Sequence, residues 1–442
     1  MIRYFFLVVF HILLALAMHR FSMVSTVHAI GAVFIGLFWA GGGRNMERTA
    51  YLGAYIAGSE ILWRMTKADV FWEYGKYAMS LVFLCSLFSR GFKRVPFPIL
   101  FFLLLIPSSF LGASVNIPLH ILRKILSFNL SGPFALMAAV LFFSRIKFRP
   151  DQLHHLFFAY LAPAIGIAAI AFFDIYTAEK IEFTTESNFL TSGGFGPNQI
   201  SGALSLGALF SYFLLLDPNI RKFSRLFITF IGIFLLIQCV LTFSRGGLYF
   251  AAAGASAASF FLIQNSRIRN RIISVMILMA ALSTYIVIPR LAKFTGGALL
   301  ERFESTDLTH RQDIIQSDLQ IWKEHFYFGV GAGQARYHRK NLRGRIAAHT
   351  EFTRLLAEHG MFGLGALLLL ILMGLTFFKR AKTIKGKALS ASTFVWSFMY
   401  MAGYAMRVAA PSFVFGLAAL SLLPDRPRPQ KMQVTKEEPI NE

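Results

Sequence analysis

Residues 225–264 read RLFITFIGIFLLIQCVLTFSRGGLYFAAAGASAASFFLIQ. Apolar residues fill 225–242 and 246–264, and the pattern breaks only around Ser244-Arg245. Each run approaches the length of about twenty residues that crosses a hydrocarbon layer about 30 Å thick. Neither alternates apolar with polar at a period of 3.6 or 2, so an amphipathic surface helix or a half-buried strand does not account for them. Two membrane-crossing helices joined by a very short connection do. The pattern extends both ways, with blocks at 2–18, 24–41, 49–63, 70–89, 97–113, 132–146, 152–173 and 198–217 before it, and at 271–289, 355–378, 388–405 and 409–424 after it. The predicted fold is all-α: a polytopic transmembrane helix bundle of 12–14 membrane segments, the blocks at 49–63, 132–146 and 409–424 being short enough to be tilted, re-entrant or interfacial. The predicted layout is a transmembrane bundle over 1–289, one long loop carrying short amphipathic helices over 290–351, C-terminal transmembrane helices over 352–424 and a disordered tail over 425–442.

Composition excludes an ordinary soluble enzyme. The chain of 442 residues is 56% hydrophobic and 15% charged, whereas a soluble domain carries about 25% charged residues. Its net charge of +22 would suggest nucleic acid in a soluble protein, so the position of the cations decides. They cluster in five short loops: Arg90, Lys93 and Arg94; Arg145, Lys147 and Arg149; Arg221, Lys222 and Arg225; Arg267, Arg269 and Arg271; and Lys379, Arg380, Lys382, Lys385 and Lys387. Counting fourteen crossings puts all five on one face, which the positive-inside rule makes cytoplasmic, together with both termini. Membrane lipids, not nucleic acid, are the expected surroundings. The first block, although preceded by Arg3, lacks a small-x-small cleavage site and reads as a retained helix. Cys85 and Cys239 lie in apolar blocks, so neither a disulfide framework nor a thiolate metal site is expected.

The opposite face holds the residues that defy the charge pattern. Arg245 sits in a very short connection there, where a guanidinium is costly unless it meets an anion; the alternative is an arginine snorkelling to phospholipid headgroups. In the long loop, Thr309 and Gln312 form a capping box, and Ile315, Leu319, Trp322 and Phe326 recur at helical spacing, predicting an amphipathic helix over 311–326 with Arg311 in its first turn. Gly329-Val330-Gly331-Ala332-Gly333 lacks the flanking strand and helix of a dinucleotide site and reads as a turn. Arg336, Arg339, Lys340, Arg343 and Arg345 follow without an acid, suiting anionic headgroups or a pyrophosphate-linked substrate. His349 stands where the chain re-enters the membrane, one of four histidines in this loop with His310, His325 and His338. An imidazole of ordinary pKa about 6.5 is a natural general base, though a loop histidine can equally be inert. No set of residues has metal-ligand spacing.

Together, Gly194-Phe195-Gly196-Pro197-Asn198, Ser244-Arg245-Gly246-Gly247, Arg311 with His325 and Gly329-Val330-Gly331, and His349-Thr350-Glu351-Phe352 with Leu355-Leu356-Ala357-Glu358-His359-Gly360 and Gly363 resemble the O-antigen ligase family, which includes Wzy-type polysaccharide polymerases. The resemblance covers mainly residues 190–375. Ile315, Phe326 and Thr350 stand where that family often has Trp, Pro and Asn. The resemblance implies a metal-independent, cofactor-free glycosyltransferase of the bacterial inner membrane. Such an enzyme moves a glycan from an undecaprenyl-pyrophosphate donor to a sugar hydroxyl of lipid A-core or of a lipid-linked glycan, at the periplasmic face. It makes His349 the base and Arg245 and Arg311 the grip on pyrophosphate, with Arg336 and Arg339 as further pyrophosphate ligands and Asn198, Ser244, Glu351 and Glu358 in support. Two residues along a helix, Glu351 is expected to face away from His349, and Glu358 to make a structural hydrogen bond. A lipid-linked glycan flippase, the competing class, predicts pseudo-symmetric halves and charges along a central cavity.

Overall fold

The apolar blocks are helices. A computed structural model describes residues 2–41, 45–88, 96–111, 118–305, 311–339 and 348–424. The elements up to the long loop are α1 (Ile2–Arg20), α2 (Ser22–Ala40), α3 (Met46–Met65), α4 (Tyr74–Phe88), α5 (Pro96–Leu103), α6 (Ile106–Ser109), α7 (Leu119–Phe143), α8 (Pro150–Thr177), α9 (Pro197–Leu216), α10 (Lys222–Leu241), α11 (Arg245–Leu262) and α12 (Ser266–Leu282). A π-helical turn, Ser283–Val287, joins α12 to α13 (Ile288–Phe294). After them come α14 (Ala298–Glu304), α15 (Arg311–Glu324), α16 (Ala335–His338), α17 (Glu351–Arg380), α18 (Ile384–Gly403) and α19 (Ala409–Leu417). Strand structure among the described residues is one parallel pair, β1 (Lys147–Phe148) with β2 (Ser421–Leu422).

Among the described residues, seven helices are long and apolar enough to cross a membrane: α2, α7, α8, α9, α10, the continuous run Ser266–Phe294, and α17. The remaining blocks form helices that are shorter or carry charge. Four boundaries differ from the sequence reading. The block at 97–113 splits into α5 and α6, with Pro107 opening the second, because a proline has no amide to continue the first. The block at 132–146 belongs to a helix that starts at Leu119; Arg123 and Lys124 lower the hydropathy there without interrupting helical backbone. The block at 409–424 stays helical only to Leu417 before turning into β2. The helix before the long loop runs on to Phe294.

Pro150, Asp217, Ile268, Lys385 and Leu422 line one crevice, so the loops holding four of the basic clusters share one end of the bundle. Tyr4 meets His155 at 3.2 Å, and Leu423 donates to the carbonyl of Phe148, placing both termini of the described chain at that basic end. The first basic cluster, the 425–442 tail, Thr309, His310, Lys340, Arg343 and Arg345 lie outside the described residues.

Small residues let the helices approach closely, as bundle packing in lipid requires. A Cβ on Gly132 of α7 would stand 2.4 Å from the carbonyl oxygen of Met406, and one on Gly416 of α19 2.5 Å from Ala139. Phe10, Phe34, Phe38, Phe230 and Phe260 project from the outside of the bundle, more than half exposed, as lipid-facing rings do.

Candidate active site at the end opposite the basic loops

The turn between α10 and α11 is under strain. Phe243 is wholly buried with φ 58°, a left-handed conformation that costs a side-chain-bearing residue about 1–2 kcal/mol. Its carbonyl accepts a hydrogen bond from Nε of Arg302 at 3.3 Å. The reversal presents Ser244 and Arg245 at the start of α11. Ser244 Oγ donates to Oδ1 of Asn198, in the first turn of α9, at 2.8 Å and lies 2.9 Å from the Tyr404 hydroxyl. The Arg311 guanidinium stands 5.5 Å from the centroid of the Tyr404 ring, and Arg245 donates to the Ser305 carbonyl. The two glycines after Arg245 have a packing reason: a Cβ on Gly246 would meet the Tyr404 hydroxyl at 2.2 Å, and one on Gly247 the Ser201 carbonyl oxygen at 2.4 Å. Between these elements lies a cavity of about 510 Å³ whose wall includes Asn198, Ser244, Arg245, Arg302 and Arg311. Glu304 is the acid on that wall. Three guanidiniums against one carboxylate suit a ligand of more than one negative charge.

His349, immediately before α17, lies close enough to Arg311 on this wall to feel its charge. Its preceding carbonyl, of Ala348, accepts from Nη2 of Arg407 at 2.6 Å, and Thr350 caps the helix by accepting from the Thr353 amide at 3.1 Å. Burial, together with the positive charges of Arg311, Arg407 and Arg339, lowers the imidazole pKa to about 4. The ring is therefore neutral at neutral pH, the form able to accept a proton.

Two buried ionic clusters hold this region, and hydropathy alone did not reveal them. Arg354 is paired with Glu351 and, at 2.8 Å, with Glu358, and Nη1 donates to Asn129 at 3.4 Å. Glu351 also accepts from the Met406 amide at 3.0 Å. Glu351 thus serves Arg354 and the Met406 turn, and Glu358 makes an ion pair rather than a plain hydrogen bond. Removing one partner from such a buried group costs about 3–5 kcal/mol. The second cluster centres on Arg64, which pairs with Glu60 at 2.5 Å and donates to the carbonyls of Trp72 at 2.8 Å and Arg407 at 3.1 Å. The signal for both clusters was an unusual one: charges inside blocks otherwise long enough to cross lipid.

Only part of the expected pyrophosphate set converges. Arg336 lines a different cavity, with Arg123 and Lys124. Arg339 is buried against Asp318 at 2.7 Å, and burial raises the carboxyl pKa of Asp318, which Thr353 also contacts at 2.9 Å. Asp318 shifts the buried face of α15 to Ile314, Asp318 and Ile321, leaving Ile315, Leu319 and Trp322 half-buried on its flank and Phe326 exposed beyond the helix end at Glu324. His325 and His338 contact each other edge to face at 5.7 Å. The Gly329–Gly333 string is a turn docked on a break in α17. Gly360, at φ 58° and ψ −132°, interrupts that helix, and the amides of Val330 and Gly331 donate to the carbonyls of Ala357 and Glu358, each at 3.0 Å.

Residues 230–368 match the family model described as O-Antigen ligase. This segment, about a third of the chain, is similar to the O-antigen ligase family. No curated protein matches the chain. The family segment runs from α10 into α17 and contributes Ser244, Arg245, Arg311, Arg336, Arg339 and His349. Asn198, Arg64, Asn129, Tyr404 and Arg407 come from outside it, so the site is completed by the remainder of the bundle.

Proposed function

We propose that this protein is an inverting glycosyltransferase that moves a glycan from undecaprenyl pyrophosphate to an acceptor sugar hydroxyl, as an O-antigen ligase does. The carrying observation is the proximity of His349 to Arg311, which walls one cavity together with Arg245 and Arg302. The donor pyrophosphate is a dianion that gains a further negative charge as it departs, and forked guanidiniums bind its oxygens in pairs. The bond from the anomeric carbon to pyrophosphate breaks, with the electron pair going to the departing oxygen. The acceptor oxygen bonds from the opposite face while its proton passes to Nδ1 or Nε2 of His349. One displacement inverts the anomeric centre, and no carboxylate nucleophile takes part.

In this reading the basic end is cytoplasmic with both termini, the protein is a multi-pass component of the bacterial inner membrane, and the arginine cavity opens to the periplasm. A ligase takes lipid A-core as acceptor; a Wzy-type polymerase takes a second lipid-linked glycan. The lipopolysaccharide profile of a deletion strain separates them: long glycan not joined to core marks a ligase, and a single repeat on core marks a polymerase. Complementation of that strain with His349→Ala should restore protein to the membrane but not glycan transfer. Transfer at the wild-type level would remove His349 from the reaction.

A further inference from the structure

A second cleft, of about 920 Å³, is lined by Trp72, Arg123, Lys124 and Arg336. Its walls come from the α3–α4 connection and the start of α7, with Arg336 from the long loop. Trp72 is 47% exposed and pinned from behind, its ring centroid 4.5 Å from the Arg64 guanidinium. Because Arg64 is itself tied to Glu60 and to two carbonyls, the indole is a fixed platform rather than a mobile side chain. Such a flat apolar ring beside hydrogen-bonding groups is what the C–H face of a sugar stacks on. Arg123, Lys124 and Arg336 face Glu73 across the same space, leaving the cleft cationic.

The cleft leads toward the proposed base. Phe128, Asn129 and Arg336 also border a narrow gap whose far wall includes Ala348 and Arg407, the pair bonded next to His349. Under the Phe128 ring, 5.8 Å from its centroid, lies the ammonium of Lys76, fully buried and with no hydrogen-bond partner among the described residues. Two cationic cavities, one reaching His349 through Arg311 and the other, which carries the Trp72 indole, through the Ala348–Arg407 pair, suit a two-substrate transfer.

We propose that the Trp72–Arg123–Lys124–Arg336 cleft is the acceptor subsite and that it takes a glycan bearing a phosphate group, the sugar stacked on Trp72 and the phosphate held by the cations. The proposal rests on the transferase reading for its role, but binding can be measured without turnover. The probe is a fluorescent oligosaccharide carrying one phosphate monoester, titrated onto the full-length protein in phosphatidylcholine nanodiscs, with its phosphatase-treated form as control.

The phosphorylated probe should bind at least tenfold more tightly than the control. Arg123→Ala/Lys124→Ala should erase that preference, and Trp72→Ala should weaken both forms at least tenfold; Arg123, Lys124 and Trp72 are exposed, so folding is not at stake. In a transfer assay the same variants should raise the acceptor KM at least tenfold and leave the donor KM within twofold. Equal binding of the two probes, or variants that bind normally, overturns the proposal. Anionic phospholipid added to the nanodiscs that abolishes probe binding, with Trp72→Ala showing no effect, identifies a lipid-headgroup site and overturns it as well. If His349→Ala still transfers glycan while the probe behaves as expected, the base assignment falls and the cleft stands. If the probe fails to bind while His349→Ala is inactive, the cleft falls and the base assignment stands.

Discussion

At the scale of single residues, the environment of His349 makes a kinetic statement. Its lowered pKa means that the neutral, proton-accepting form is present at neutral pH and is lost only as pH falls through about 4. The rate measured as kcat/KM, which reports the free enzyme, should therefore stay level from pH 7 to pH 5 and decline below that. A bound pyrophosphate offsets the charge of Arg311, so the imidazole pKa rises in the complex, and the kcat profile should decline at higher pH than the kcat/KM profile. Coincident profiles centred on about 6.5, the ordinary value, would show that the arginines do not act on this ring. Arg245 offers a second test. Arg245→Lys keeps the charge and loses the fork, and should lower kcat/KM for the donor by at least tenfold; unchanged kinetics would favour an arginine that only meets headgroups. The identity of these residues was legible from sequence because each broke a pattern. The fate of Arg336 and Arg339 was not: both sit in one basic run, yet one faces a separate cleft and the other is neutralised by Asp318, which lies on α15 beyond the glycine string.

At the scale of elements, α17 does the positioning. Its N-terminal half carries Arg354 and Glu358, and its break at Gly360 frees the carbonyls that dock the loop bearing Arg336 and Arg339. The ψ of −132° with positive φ is a backbone state open essentially to glycine alone. A Cβ there would also stand 2.4 Å from the Phe326 carbonyl oxygen. Gly360→Ala should straighten the helix, detach the 329–339 loop and reduce transfer at least tenfold in protein that still reaches the membrane. Limited proteolysis should then cut that loop faster than in the wild type; equal cleavage rates would show that the docking survives without the break. Helix existence was legible throughout from apolar run length. Boundaries were not, wherever charge continued a helix, as at Leu119 to Lys124, or proline divided one, as at Pro107.

At the scale of the whole molecule, four basic loop clusters and the arginine cavity lie at opposite ends of the bundle. Topology follows from this: in a background lacking Cys85 and Cys239, a cysteine in place of Lys323 on exposed α15 should react with an impermeant maleimide in spheroplasts, and one in place of Lys222 at the start of α10 should react only after lysis. The opposite labelling would invert the orientation and move the arginine cavity to the cytoplasm. What sequence alone determined was the class of fold, an all-α polytopic helix bundle, and which few cations stand apart from the basic loops, because these depend on run length and on local charge. Only the tertiary structure decided which of those cations converge, which are tied into buried ion pairs, and which line separate cavities. Those outcomes depend on contacts between segments as distant as Arg64 and Arg407, or Asn129 and Arg354, and no local pattern records such a meeting.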